Sequence, residues 1–359
     1  MPHPWRHEGT RALTPKTPAD IRAARLASPD LRERDLADRL QISEAQLIAA
    51  HIGHGVTRIS ADYDRIIPAA MRLGEVMALT RNESCVIEKV GVYDGFRPGP
   101  HAALVVNHDI DLRLFPARWV HAFAVEKPVG EGVRRSIQIF DAAGDAVHKI
   151  FLRETSQSEL WPGLVEELRA SDQDDAQPVT PRQPVEPARA DAAKARQLRE
   201  EWDQLTDTHQ FLQMVRKLRM NRLGAYRIAG APYVRPLPVD AVETLLTRAA
   251  ETALPIMVFV GNPGCIEIHT GPIRNLKRMG PWLNVLDPGF DLHLRTDHIA
   301  EVWQVTKSTR RGDAISVEAF DRDGMLITQI FGVLADDEAA AGWNELVQGL
   351  DELAPETAA

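Results

Sequence analysis

The segment Phe140-Asp141-Ala142-Ala143-Gly144-Asp145-Ala146-Val147-His148-Lys149-Ile150-Phe151 has a counterpart 180 residues on, Phe320-Asp321-Arg322-Asp323-Gly324-Met325-Leu326-Ile327-Thr328-Gln329-Ile330-Phe331. Each reads as the end of one strand, a tight turn built on Asp and Gly, and a second strand. Connections this short pair strands antiparallel. The same offset holds outward over about seventy residues without a gap, the mark of an internal duplication. Asn82 meets Asn262, Cys85 meets Cys265, Gly91 meets Gly271, Val105 meets Val285, and Lys127 meets Lys307. Asp111-Leu112-Arg113-Leu114 meets Asp291-Leu292-His293-Leu294, and with an offset of 182 Trp161 meets Trp343.

In the first copy, 76–80, 84–92, 102–107, 111–114, 120–126, 135–140 and 146–153 read as strands, and 158–170 as a closing helix. The stretch 172–193 is rich in Asp, Pro and Ala and lacks a hydrophobic period, so it reads as a linker. The expected fold is α+β: two similar halves, 30–171 and 197–352, joined by a linker over 172–196. Each half is expected to be a large antiparallel sheet with flanking helices that stands as an independent unit. The linker is expected to be the first site of proteolysis.

Composition narrows the function. The chain has 359 residues, a net charge of -9, 44% hydrophobic and 26% charged residues, which is ordinary globular usage. That charge argues against general affinity for nucleic acid or anionic membrane. Cys85 and Cys265 give neither a disulfide framework nor a four-ligand zinc site, and their match across the copies suggests a shared packing role. Met1-Pro2-His3-Pro4-Trp5-Arg6-His7 lacks the apolar core of a signal peptide, and no window holds 18 apolar residues, so a reducing cytoplasm is expected and no membrane insertion. The first thirty residues read as only partly ordered. Residues 35–50 resemble a helix-turn-helix, but no basic footprint accompanies them, so a DNA-binding regulator is the outside reading.

Where two copies differ, a site has been added or lost. Leu205-Thr206-Asp207-Thr208-His209-Gln210-Phe211-Leu212 offers three N-cap residues ahead of Phe211, Leu212, Val215 and Leu218 at helical spacing. His209 then falls in the first helical turn, away from that apolar face and in line with Gln213, Arg216 and Met220. A helix N-terminus disfavours imidazolium, and neutral imidazole is the form that binds a metal. An exposed surface histidine is the plain alternative. At an offset of 178, His209 meets Leu31, so the candidate ligand exists in one copy only. Arg113 meets His293, and Gln329 meets Lys149. One principal site follows. The pair His51 and His54 lacks a third ligand and reads as capping or solvated. His269 and His298 lie on or beside strands, and His293 remains an alternative ligand.

Several longer motifs carry a resemblance: Leu205-Thr206-Asp207-Thr208-His209, Phe259-Val260-Gly261-Asn262-Pro263-Gly264-Cys265, Met279-Gly280-Pro281-Trp282-Leu283-Asn284-Val285-Leu286-Asp287, Asp111-Leu112-Arg113-Leu114-Phe115 and Thr80-Arg81-Asn82-Glu83. Over about residues 30 to 350 the chain resembles the HemS/HmuS/ChuS hemin-degrading factors, cytoplasmic proteins of haem-iron utilisation. The resemblance implies haem held in a cleft between the halves. It implies His209 as the axial iron ligand and Arg113 as a distal arginine from the other half. Arg222, Lys307 and Gln329 would lie near the porphyrin edge, with Phe115, Met257 and Phe259 as apolar walls. Phe331 and Leu334 stand where relatives often carry tyrosine and arginine. Phe331 is matched by Phe151 and Lys307 by Lys127, so sheet-core and structural roles compete for both. Met257 and Phe259 carry a core alternative as well.

Two functions compete on this reading. The protein would degrade haem, releasing iron, with Arg113 as a distal catalytic group. Otherwise it would carry haem, receiving it from an importer and passing it to a separate haem oxygenase. Both need the same ligand and the same pocket.

Overall fold

A computed structural model describes residues 16–310 and 312–351. Expectations about the opening heptapeptide lie outside these residues. Among the described residues eighteen strands form two antiparallel nine-stranded sheets. In the first half they are β1 (Val56–Ile59), β2 (Glu75–Arg81), β3 (Cys85–Val92), β4 (Phe96–Arg97), β5 (Ala103–Val106), β6 (Asp111–Leu114), β7 (His121–Val129), β8 (Gly132–Phe140) and β9 (Ala146–Leu152). In the second they are β10 (Val234–Leu237), β11 (Ile256–Asn262), β12 (Cys265–Gly271), β13 (Leu276–Met279), β14 (Trp282–Asp287), β15 (Phe290–Arg295), β16 (Ile299–Thr309), β17 (Gly312–Asp321) and β18 (Leu326–Gly332). The β8–β9 and β17–β18 turns are equivalent. Gly144 (φ +81°) and Gly324 (φ +90°) take the left-handed position, and Asp141 and Asp321 accept backbone N–H bonds across the turn.

The sheets do not divide as the halves do. The first runs β1-β7-β8-β9-β2-β3-β15-β14-β13 and the second β10-β16-β17-β18-β11-β12-β6-β5-β4. Each half therefore lends a three-stranded ribbon, 96–114 or 276–295, to the other half's sheet. The expectation of independent units fails on this exchange. Two asparagines matched in the repeat lock the crossing. Asn82 Nδ2 donates to the carbonyls of Gly261 (3.2 Å) and Ile327 (2.8 Å), and Asn262 Nδ2 donates to those of Arg81 (2.9 Å) and Val147 (2.8 Å).

Strands alternate buried and half-buried residues, so each sheet has an inner and an outer face. The inner face of the first sheet packs on α4 (Tyr63–Arg72), α5 (Trp161–Leu168) and the borrowed strands β5 and β6, with Trp161 enclosed. The inner face of the second packs likewise on α9 (Ala241–Thr252), α10 (Asp337–Gln348) and β14 and β15, around Trp343. Cys85 and Cys265 are buried, unbridged members of these cores.

On the outer faces, α1 (Pro18–Ala27), α2 (Glu33–Leu40) and α3 (Glu44–Ala49) lie on the first sheet. Helices α6 (Ala195–Trp202), α7 (Gln210–Lys217) and α8 (Arg222–Ala229) lie on the second. Residues 18–27 correct the expectation of an irregular start. Thr17 and Asp20 form a capping box, Pro18 takes the first helical position, and Arg22 reaches the Ala50 carbonyl and Asp175. The linker is extended but tied down. Arg58 binds the side chain of Gln177 and the backbone of Asp174, and Arg182 holds Asp145 through two nitrogens. With those bonds to break, early proteolysis at 172–191 is no longer the expected outcome.

Candidate functional site

Directly paired residues on neighbouring strands share a face. In the second sheet Met257 pairs with Phe331, Phe259 with Gln329, and Ile266 with both Gly261 and Arg113. These side chains therefore occupy one outer face, beyond the helical cover. Met257, Phe259, Ile266, Gln329, Phe331 and Arg113 are all half-buried, whereas their neighbours Val258, Val260, Ile330, Leu112 and Leu114 are enclosed. The rings of Phe259 and Phe331 meet edge to face with centroids 5.1 Å apart. Phe331 is thus neither core nor polar: it is half of an aromatic wall. The core alternative for Met257 and Phe259 fails on the same alternation. A recess of about 210 Å³ opens here, lined by Phe259, Gly261, Ile266, Leu326 and Gln329. Phe115 is half-buried just past the end of β6.

The covered part of this face carries a buried charge cluster. Glu318, paired with Gln329 across β17 and β18, is fully enclosed. Its carboxylate accepts from Arg222 (2.9 Å), Tyr226 (2.9 Å), Lys307 (2.9 Å) and Ser316 (2.9 Å). Burial alone would raise the Glu318 carboxyl, but Lys307 and Arg222 hold it at about 2. Lys307 is 3% exposed and also donates to Tyr226 Oη at 3.2 Å, with its ammonium 4.9 Å from the centre of the Phe211 ring. The amine is committed inside the protein, in line with the structural alternative. Arg222 keeps 20% of its side chain exposed, at the margin of the cluster.

His209 lies at the junction where α7 begins. It occupies the N-cap position itself, one residue ahead of the expected first turn. Its side chain is 89% exposed, and Nδ1 is 2.6 Å from Asp207 Oδ1. Thr206 and Asp207 do not cap α7 as expected; instead Gln210 reaches back to the Thr206 N–H, and the Thr206 carbonyl accepts from the Arg310 N–H at the β16–β17 hairpin. Phe211, Val215 and Leu218 are buried as the period requires. Leu212 is 41% exposed, and Met214 takes its place. Met220 is buried because the helix has already ended at Lys217. Arg113 is 31% exposed and pairs with Asp111 on its own strand.

The same face of the first sheet shows why one copy holds the site. Glu44 at the start of α3 corresponds to Arg222, and it binds Arg81 and Lys149, which correspond to Gly261 and Gln329. Burial would raise the Glu44 carboxyl, but Lys149 and Arg81 hold it at about 2. Two long cations thus fill in the first sheet the space that Gly261 and Gln329 leave open in the second. Leu31 replaces His209 and His293 replaces Arg113; His293 Nδ1 lies 2.7 Å from Asn284 Oδ1.

A second polar cluster, not foreseen from sequence, lies inside the sandwich. His148 bridges Thr80 Oγ1 (2.8 Å) and Tyr93 Oη (2.5 Å), and burial holds it at about 3. Nearby Glu267 is enclosed, with Oε2 4.0 Å from His148 Nδ1 and neither oxygen in hydrogen-bonding geometry, and burial pushes its carboxyl up to about 8. Its repeat counterpart is Ile87, so the fold does not demand a carboxyl there. His51 caps its own helix, with Nδ1 3.0 Å from the Leu47 carbonyl. Among the described residues no group of three or more His, Cys, Asp or Glu side chains could hold a bare metal ion, and no helix is long and apolar enough to cross a membrane.

Comparisons with known proteins agree with this arrangement. The model of the haemin-degrading HemS.ChuX domain matches twice, over residues 41–168 and 219–350. The hemin transport protein HmuS of Yersinia pestis is 34% identical over 331 residues, 91% of this chain and 95% of the relative. The crystal structure of holo-PhuS, a heme-binding protein from Pseudomonas aeruginosa, superposes with a TM-score of 0.89 at 43% identity, covering 94% of this chain and all of that one. ChuS, an Escherichia coli heme oxygenase, superposes with a TM-score of 0.83 at 32% identity over 92% of this chain and 99% of its own.

Proposed function

The chain belongs to the haemin-degrading HemS.ChuX family, and we infer from that premise that it is a haem-binding protein of haem-iron utilisation. The observation that carries the reading is an asymmetry. On the outer face of the second sheet Gly261 and Gln329 line an open recess where Arg81 and Lys149 fill the first, and His209 heads a helix where the first copy has Leu31. Haem is a wide apolar disc with two carboxylates and an iron that takes imidazole, so it asks for an apolar wall, a nearby cation and a neutral histidine. Phe259, Phe331, Met257 and Ile266 offer the wall, and His209 is the axial ligand. Arg113 is the distal cation, brought from the first half by the strand exchange. Arg222 and Gln329 border the porphyrin edge. Lys307 acts through Glu318, holding α8 and the strands in register, and Phe115 is the outermost wall residue.

The cytoplasm is the compartment in this reading, consistent with two unbridged cysteines. Relatives' names divide between transport and ring cleavage, and the residues that hold haem serve both. Haem is the ligand, with an importer as donor and, for a carrier, a haem oxygenase as acceptor. The test adds haemin to the apoprotein, follows the Soret band, and then supplies a reductant with catalase present. A sharp Soret band that His209→Ala weakens and shifts supports the binding site. A linear tetrapyrrole with released iron marks an enzyme, and intact ferrous haem marks a carrier. Identical titrations of the wild type and His209→Ala would reject the site.

A further inference from the structure

A histidine binds iron best when its second ring nitrogen is already held, because that bond fixes both the tautomer and the direction of the ring. Asp207 supplies such a bond. Its Oδ1 accepts the His209 backbone N–H at 2.8 Å and lies 2.6 Å from His209 Nδ1. A carboxylate oxygen that already accepts a backbone N–H is an acceptor toward the ring as well, so Nδ1 is the donor and Nε2 is left free to ligate.

Packing does not explain the pair, and capping accounts for the backbone bond to Asp207 Oδ1 but not for the ring nitrogen on the same oxygen. The two side chains are 89% and 57% exposed, so no core holds them. In the first turn of α7 the Gln210 N–H goes to the Asp207 backbone carbonyl and the Phe211 N–H to that of Thr208, so the Asp207 carboxylate is not their cap. In the other copy Pro29 and Leu31 stand at these two positions, so the carboxylate and the imidazole are absent together. The pair belongs to the copy with the open face.

We propose that Asp207 is the positioning residue of His209: it fixes the Nδ1–H tautomer, turns Nε2 toward the haem iron, and gives the imidazole anionic character. The inference rests on the haem reading above. A porphyrin covering the pair would exclude water from it, and a charge-assisted hydrogen bond strengthens as the local dielectric falls. A more electron-rich imidazole favours ferric over ferrous iron.

The test uses the full chain with Asp207→Asn, which keeps an oxygen acceptor without the charge, and Asp207→Ala, which removes both. Asp207 is exposed, so circular dichroism should show unchanged folding in both variants. In the haem-free protein, ¹⁵N NMR of the His209 ring should find Nδ1–H in the wild type and a shift toward Nε2–H in Asp207→Ala. With haem bound, both variants should move the reduction potential upward and the ferrous iron–imidazole stretch to lower frequency. Asp207→Ala should also weaken haem affinity by about 10–100-fold. An Nε2–H tautomer in the wild type, or an unchanged potential and stretch in both variants, would overturn the role of Asp207 and leave His209 ligation standing. Failure of the haem reading would show separately, as His209→Ala binding haem like the wild type.

Discussion

Arg113 and Glu318 lie on the same face of the second sheet and do different work. Arg113 can exchange Asp111 for an acceptor on a ligand, being part-exposed and ionic. Arg113→Ala should cost a contact worth about 1.5–3 kcal/mol and shift the spin-state balance of bound haem, while the Soret band of a histidine complex persists; magnetic circular dichroism would show it. Glu318 has no such freedom. Glu318→Gln leaves Lys307 and Arg222 facing a neutral amide in the interior, a loss of about 3–5 kcal/mol in urea unfolding. Because the Glu318 carboxyl is held at about 2 and would titrate near 4.5 when unfolded, its contribution is present above pH 4.5 and disappears as pH falls toward 2. At this scale the sequence was informative about residue type and less so about partners. The place of His209 at a helix start was legible because polar residues precede it and an apolar period follows. The burial of Lys307 was only hinted at by its match to Lys127, since its carboxylate partner comes from the next strand of the sheet.

At the scale of elements, periodicity placed seven of the nine described strands of the first half to within three residues, because alternation and Asp-Gly turns are local signals, and missed the short β1 and β4. Which sheet a strand joins is not local. The ribbons 96–114 and 276–295 are copies of one another, so pairing within a half or across halves satisfies the same pattern of apolar side chains. Helix α1 was missed because its Pro-rich approach read as irregular, although Thr17-Pro18-Ala19-Asp20 is a start motif. The inter-sheet cluster belongs to this scale too. Glu267 titrates near 4.5 when unfolded and at about 8 when folded, so between those values the native state retains a proton the unfolded state has lost. Stability from this group is full below pH 4.5 and is lost as pH rises to 8. Glu267→Gln should remove that slope, raising the melting temperature relative to wild type at pH 8 more than at pH 5. An equal difference at both pH values would mean that the carboxyl ionises normally.

The molecule is a duplicated fold in which the copies complete one another's sheets, and the outer face that Arg81 and Lys149 fill in one copy is open at Gly261 and Gln329 in the other. The exchange has a practical consequence. A chain cut to residues 1–190 would lack three strands of its own sheet and carry a ribbon with no sheet to join, so it should be poorly folded alone. Co-expression with the remainder should restore a one-to-one complex, seen by size-exclusion chromatography with circular dichroism. A folded monomeric first half would mean that its ribbon can pair within its own sheet and that the exchange is not needed for folding. The central claim concerns number as well as place: Arg81, Lys149 and Glu44 close the first sheet's face, while Gly261, Gln329 and His209 furnish the second. The most direct measurement is the end point of a haemin titration into the full chain, followed at the Soret band for wild type and His209→Ala in parallel. One haem per chain, with the histidine-ligated spectrum absent from the variant, is the predicted result; two haems per chain, or one whose spectrum is untouched by losing His209, would contradict it.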